Sequence, residues 1–269
     1  MFAPGGETRT GRRTDARPEG EVRPRVFALG AKPARGGGAG PERETRRGGG
    51  AGPMSPAPAF RPRGMGKVIC QISVSVDGYA AGPDQSEEHP LGVGGERLHD
   101  WSFGPGGSGG PNPIDRPIAD AMLAHTGAFV MGRNMFGPIR GRAQDCDWRG
   151  WWGEDPPFHA PVFVLTHHGR DPLPMAGGTT FHFVTEGLDA ALERARAAAG
   201  ELDVQIAGGA STVNQALAAG ALDELHLHVA PFVLGAGERL FEGVGDLRLE
   251  PLETVHSPAA THVRYRVVR

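Results

Sequence analysis

Three short clusters in this 269-residue sequence combine residue types that hold anions or rings, and each follows an apolar run. The first is Gly208-Gly209-Ala210-Ser211-Thr212, placed after Asp203–Ala207 and before a segment of helical composition. Glycines let a backbone approach a ligand closely, and the free N–H groups of a helix start attract anions. Ser211 or Thr212 can reach a phosphate oxygen, or can simply cap the helix. The second is Gly132-Arg133-Asn134, where the arginine offers a rigid fork suited to a terminal phosphate. A surface arginine on an ordinary turn is the competing reading. The third, Thr166-His167-His168, ends the run Pro161–Thr166. Ligands of open parallel sheets gather at the carboxyl ends of strands, so three polar clusters at three such ends agree with one another. A pyrophosphate at Gly208-Gly209 and a ribose phosphate at Arg133 describe an NADP-type dinucleotide.

Other residues carry weaker chemistry. His226 and His228 are two apart on an expected strand and share a face, but no third metal ligand can be identified, and partly exposed sheet histidines compete with that reading. Trp148, Trp151, Trp152 and Phe158 cluster in a Gly-rich connection, either as core or as the wall of a flat-ring pocket. Asp77, Asp115 and Asp120 are candidate acids. Against that, Asp77 precedes Gly78 as in a turn, Asp115 suits a helix N-terminus, and Asp120 suits a solvated helix face. Gly92-Val93-Gly94-Gly95 and Gly235-Ala236-Gly237 lack the full dinucleotide spacing. No HExxH, P-loop or HxE…PCxxC sequence occurs.

The elements that position these clusters follow from periodicity. Lys67–Val76 alternates apolar and polar residues and ends at Asp77-Gly78, so a strand is expected. Residues 82–114 read as one long Gly/Pro-rich loop. A helix over Ile114–His125, with Asp115 near its start, leads to a short buried strand at Ala128–Met131. Further strands are expected at Pro161–Thr166, Thr180–Val184, Asp203–Ala207 and Asp223–Val229, and near Leu247–Thr254 and Thr261–Val268. Helices are expected at Leu188–Ala199 and Ser211–Ala219, stopped by Gly200 and Gly220. Strands alternate with helices first and then follow one another. That order predicts an α/β fold, a mostly parallel sheet closed by an antiparallel C-terminal hairpin.

Composition bounds the classes. Residues 1–64 hold 13 Lys and Arg against 6 Asp and Glu, whereas residues 65–269 hold 15 against 25. The first stretch also holds 14 Gly and 9 Pro, the composition of disorder. A basic arm for nucleic acid competes with a disordered extension and with upstream sequence translated from a misplaced start, and scattered Pro and Gly, which keep the arginines off one helix face, favour the last two. The folded domain then begins at Met65, directly before the first strand. The overall charge of −3 argues against a dedicated nucleic-acid binder. No apolar run approaches the roughly 18 residues that span a bilayer. Two cysteines, Cys70 and Cys146, make neither a disulfide framework nor a four-thiolate zinc site.

The series ISVSVDGYAAG, GAFVMGRNMFGP, PVFVLTHH, DVQIAGGAST and GALDELHLHVAPFVLGAGERLF, in order over residues 66–268, resembles the dihydrofolate reductase-like superfamily. More narrowly, it is similar to stand-alone bacterial proteins akin to the C-terminal reductase domain of the riboflavin-biosynthesis deaminase/reductase. The resemblance implies a three-layer fold, a cytoplasmic homodimer, NADPH, and hydride transfer to a conjugated C=N or C=O of a small pterin-like or flavin-precursor-like substrate. It implies Arg133, Thr166 and His167 at the adenosine 2′-phosphate, and Gly132, Asn134 and Met135 beside the cofactor. Gly208, Gly209, Ala210, Ser211 and Thr212 would hold the pyrophosphate across a cis Gly208-Gly209 peptide. Ser73, Val74 and Ser75 would face the nicotinamide, Ser75 also toward substrate; Trp148 and Trp152, in a stretch longer than a minimal member needs, are candidates for the substrate wall from the residue reading alone. A proton would come from Asp115 or Asp120, or from water. A non-catalytic nucleotide-binding module and a metal enzyme using His226 and His228 are the alternatives.

Overall fold

The computed structural model describes residues 66–138 and 148–268. The expected extension over residues 1–64, the start at Met65, and Cys146 lie outside the described residues. In chain order the elements are β1 (Val68–Ser75), β2 (Tyr79–Ala81), α1 (Asp100–Phe103), α2 (Arg116–Ala121), β3 (Thr126–Gly132), α3 (Arg133–Phe136), β4 (Pro161–Leu165) and β5 (Leu173–Pro174). Then come β6 (Thr180–Val184), α4 (Leu188–Ala199), β7 (Asp203–Gly208), α5 (Ala210–Ala218), β8 (Glu224–Ala230), β9 (Glu238–Arg239), β10 (Arg248–His256) and β11 (Thr261–Val268).

Nine strands form one sheet in the order β10-β11-β8-β1-β7-β3-β4-β6-β5. The centre is parallel, with β1 between β8 and β7, then β3, β4 and β6. The β10–β11 hairpin pairs antiparallel with β8, as expected, and the two-residue β5 adds an antiparallel edge that the pattern did not announce. Alternation along each strand divides the side chains between two cores. Val68, Cys70 and Ile72 of β1, with Val204 and Ile206 of β7, meet Ala191, Leu192 and Ala195 of α4 and Val213 of α5. On the opposite face Phe129, Met131, Val162, Val164 and Phe181 pack with Phe136 and Phe158. Helices and aromatic loops on both faces of the sheet make three layers.

The longest helix shows the local logic. Ala191, Leu192, Ala195 and Ala199 are its buried residues, one stripe at helical spacing, with Asp189 in the first turn and Arg196 in the last. Gly200 ends it at φ +62, a conformation that favours glycine.

Two expectations are corrected. The helix expected over Ile114–His125 is shorter, Arg116–Ala121, with Pro117 in its first turn. Proline fits only the first turn of a helix, which places the start at Arg116 and leaves Ile114 outside, 47% exposed. The stretch 82–114 is not one open loop. It holds a 3-10 turn at Gly95–His99 and the helix α1, and it buries Leu98 and Trp101. Trp101 packs on the sheet, its ring against those of His228 and His262.

Candidate functional site

Three adjacent parallel strands, β7, β3 and β4, end at the same edge of the sheet, where their last residues open into one cleft of about 880 Å³. At the end of β7 the Gly208–Gly209 peptide is cis, as the resemblance implied, and Gly208 sits at φ +135. Gly209 caps α5 with no side-chain hydrogen bond, and while the Thr212 amide donates to the Gly209 carbonyl (3.0 Å), the N–H groups of Ala210 and Ser211 are left to the cleft. A Cβ on Gly209 would meet nothing within 4 Å, whereas one on Gly132 would lie 2.5 Å from Thr212 Oγ1. The end of β3 and the start of α5 therefore approach as closely as a glycine allows.

From the β3 end, Arg133 Nη1 donates to Asn134 Oδ1 (3.1 Å) and to the Gly137 carbonyl (3.2 Å), which orients the guanidinium at the cleft wall. At the β4 end, Thr166 Oγ1 accepts from the His168 amide (3.1 Å), a tight turn that sets His167 and His168 along the same wall. The cleft then spreads over the face of the sheet. Its floor there carries Gln71, Ser73, Gln205 and Ala207, and its walls carry Met135, Trp152 and Phe158. Trp152 meets Phe158 edge-on at 4.9 Å and stacks on Phe181 at 5.8 Å, so its ring is held by other rings. The third wall comes from residues 80–103. Gln85 Nε2 donates to the carbonyls of Pro90 (2.7 Å) and Asn134 (2.8 Å), pinning that segment over α3.

Of the residues singled out above, Ser73, Gly132, Arg133, Asn134, Met135, Thr166, His167, Trp152 and the run Gly208–Thr212 line this cleft. Val74, Ser75, Trp148, Asp115 and Asp120 do not. Val74 turns into the core beneath α4 and α5. Ser75 donates to Asp77 Oδ1 (2.6 Å) and accepts from the Tyr79 amide (3.0 Å). Asp77 in turn accepts from the amides of Leu234 (3.0 Å) and Gly235 (2.8 Å). The Ser75 hydroxyl first, then these amides, hold the Asp77 carboxyl down at about 2. Trp148 donates Nε1 to the Phe136 carbonyl (2.9 Å) and packs on Trp151. Asp120 is exposed. Asp115 is fully buried and accepts from Asn112 Nδ2 (2.5 Å) and Ser257 Oγ (2.9 Å), with His262 Nε2 at 3.0 Å.

Sequence reasoning did not single out Gln71, Gln205 or His99. The two glutamines interrupt otherwise apolar strands, a detectable signal. Gln71 Nε2 donates to the Met122 carbonyl (2.9 Å), and Gln205 Oε1 accepts from Thr126 Oγ1 (3.3 Å). His99 lies in a stretch with no periodic pattern. Its buried Nδ1 has no hydrogen-bond partner, and burial pulls its pKa down to about 4. His226 Nε2 faces Glu224 Oε2 (3.3 Å), while His228 faces His262. Among the described residues no three His, Cys, Asp or Glu side chains converge as metal ligands, and none of the helices is long and apolar enough to cross a membrane.

Residues 66–263 match the family described as the RibD C-terminal domain. No curated protein matches the sequence. A protein from Shewanella sp. PV-4, whose name places it in riboflavin biosynthesis, shares the fold at TM-score 0.53 and 23% identity, covering 76% of this chain and 99% of that one. A pyrimidine reductase-like protein from Corynebacterium diphtheriae matches at TM-score 0.45 and 17% identity, covering 76% and 92%. A dihydrofolate reductase from Enterococcus faecalis, complexed with NADP(H), matches at TM-score 0.46 and 15% identity, covering 76% and 97%.

Proposed function

The chain belongs to the RibD C-terminal domain family, and we propose that it is an NADPH-dependent reductase acting on a conjugated C=N or C=O of a small planar substrate. The observation that carries the reading is the union, in one cleft, of the uncapped start of α5, the Arg133 guanidinium and the Thr166-His167 turn. These are donors for two separated phosphate groups, placed at the carboxyl ends of adjacent parallel strands. The residues fit a dinucleotide in a second respect. Gly209 leaves open space where a side chain would fill the approach to the helix start. Gly208–Thr212 would bind the pyrophosphate, and Arg133 with Thr166 and His167 the 2′-phosphate.

The cofactor supplies the hydride; the protein binds, orients and excludes water. Met135, Trp152 and Phe158 would clamp a flat ring against the sheet, and the amides of Gln71 and Gln205 would read its polar edge. The segment over residues 80–103, pinned by Gln85, closes the cleft from the third side. Neither Asp115 nor Asp120 lines the cleft, so neither carboxylate meets substrate directly.

Calorimetric titration of the full chain with NADPH and NADH tests the reading. Micromolar NADPH binding with much weaker NADH is expected. Failure of a folded sample to bind either would overturn it.

A further inference from the structure

The wall that residues 80–103 give the cleft is anchored by Trp101. That side chain is 1% exposed, and its ring lies 4.3 Å from that of His228 and 4.8 Å from that of His262. Its Nε1 donates to Ser73 Oγ (2.9 Å). Leu98 is fully buried as well. His99 stands between these two anchors, at the end of the 3-10 turn Gly95–His99 and directly before α1. Ser102 Oγ donates to the His99 carbonyl (3.0 Å), and the Phe103 ring lies 6.2 Å from the imidazole. The backbone that carries the imidazole is therefore fixed on the sheet.

His99, Ser102 and Phe103 line the cleft together with Gln71 and Ser73 of β1. In the sheet β1 lies beyond β7, on the side away from β3 and β4. This end of the cleft thus lies across β7 from the Arg133 and Thr166-His167 turns.

Two neutral donors are left over here. Ser73 Oγ accepts from Trp101, and its own hydrogen finds no acceptor among the described residues. The imidazole of His99 supplies the second donor. Burial holds its pKa down at about 4, and His228 lies close enough that a charge on one ring disfavours a charge on the other. At pH 7 the ring is neutral, with one N–H and one bare nitrogen. Nδ1 is sealed off without a partner, so Nε2 is the nitrogen left open on this half-buried residue at the cleft wall. A proton on Nδ1 would bury an unsatisfied N–H. A proton on Nε2 gives the donor to the cleft, where water or a ligand accepts it, and this second placement is the favourable one.

We propose that His99 is a substrate-binding residue, which donates its Nε2–H to a carbonyl oxygen of a planar heterocycle held at the β1 end of the cleft. A neutral N–H suits an uncharged acceptor, because it makes one directional bond and brings no charge to be compensated in a crowded site. His99 makes a hydrogen bond and transfers no proton. That the heterocycle is the molecule reduced rests on the reductase reading above; the bond itself does not.

The deciding measurement is the imidazole 15N–1H NMR spectrum of the full chain labelled at histidine, at pH 7, with His99 assigned through its backbone resonances. His99 should be neutral, protonated on Nε2 and bare on Nδ1. Its Nε2–H signal should shift when lumazine (pteridine-2,4-dione), a planar heterocycle with two carbonyl oxygens, is added to the NADPH-loaded chain. In calorimetry His99→Phe, which keeps a ring and loses the donor, should bind lumazine about tenfold more weakly, as expected when one hydrogen bond is lost and its acceptor stays unpaired. His99→Gln, which keeps a neutral donor, should restore most of that loss, and neither variant should change NADPH affinity.

A wild-type His99 protonated on Nδ1, or charged at pH 7, would overturn the proposal whatever the variants do. So would lumazine binding that leaves the Nε2–H signal and the variant affinities unmoved, and so would no lumazine binding at millimolar concentration. The NADPH titration separates the two readings. No NADPH binding, with lumazine still shifting the His99 signal, would overturn the reductase reading and leave the His99 contact standing. NADPH binding with any of the failures above would overturn the contact alone.

Discussion

On the β7–β3–β4 flank of the cleft the groups proposed to bind anions are backbone amides, glycines and one arginine, all within a few residues of a strand end. Behind the cleft, beside β8 and β11, the polar groups are buried side chains drawn from distant segments, with Asp115 and His262 147 residues apart. The first flank is exposed to the cleft and assembled by local turns; the second is buried and exists only once the hairpin has docked. Local geometry makes a binding surface cheaply, because helix starts and strand ends have free donors wherever they occur. A buried polar row must satisfy all its members together, so its removal is felt by the whole fold.

That contrast predicts unequal mutational costs. The largest belongs to Asp115→Ala, which strands His262, Ser257 and Asn112 in the interior. Each buried hydrogen-bonding group left without its partner costs about 1–3 kcal/mol, and several are stranded together, so the urea midpoint should fall sharply. A near-wild-type midpoint would mean that the two flanks are not held by different means. Next comes Arg133→Ala. Loss of a charge-assisted contact of about 1.5–3 kcal/mol should weaken NADPH about tenfold to a hundredfold while sparing NADH and the unfolding midpoint. Equal loss for both cofactors would remove Arg133 from the 2′-phosphate.

Two alanine substitutions sharpen the comparison within the glycine flank. Gly132→Ala drives a methyl into Thr212 Oγ1 and should destabilise by about 1–3 kcal/mol. Gly209→Ala meets open space and a φ of −74, so the fold should keep its stability while NADPH binding weakens. Thermal melts and calorimetry on both variants separate the outcomes, and identical effects would merge the two roles.

The smallest effect is a pH dependence. His99 has its pKa lowered by burial to about 4. The unfolded chain therefore binds more protons between that value and about 6.5, and stability should fall as pH drops through this window. Comparing unfolding midpoints at pH 7 and 5 in wild type and His99→Gln tests this; an unchanged slope in the variant would contradict it. Asp77 acts lower on the scale. Its depressed pKa near 2 contributes stability above the unfolded carboxyl value, and that contribution is lost as pH falls toward 2.

Periodicity and punctuation made much of this legible. Thr180–Val184, Leu188–Ala199 and Thr261–Val268 have in the structure the bounds their patterns predict, and the helix among them buries a regular stripe and ends at Gly200. The three strand-end clusters were readable for the same reason: Gly-Gly, Gly-Arg-Asn and Thr-His-His each interrupt an apolar run. His99 and Trp101 were not readable. They sit among glycines and prolines, where nothing local distinguishes a buried side chain from a solvated one. The β2–β9 ribbon escaped notice because it is three residues against two, held by Asp77 reaching the amides of Leu234 and Gly235.

The sequence by itself determined the order of the longer strands and helices and the three turns suited to anions, since each depends on neighbours a few residues apart. Only the tertiary structure decided that Trp152 and Phe158 wall the cleft while Trp148 does not. It alone placed Asp115 away from the cleft and brought His228 and His262 to opposing positions on adjacent strands. The reason is physical. Hydrophobic periodicity records which face of an element is buried, whereas the partner met on that face depends on sheet order and register, and no local pattern encodes either.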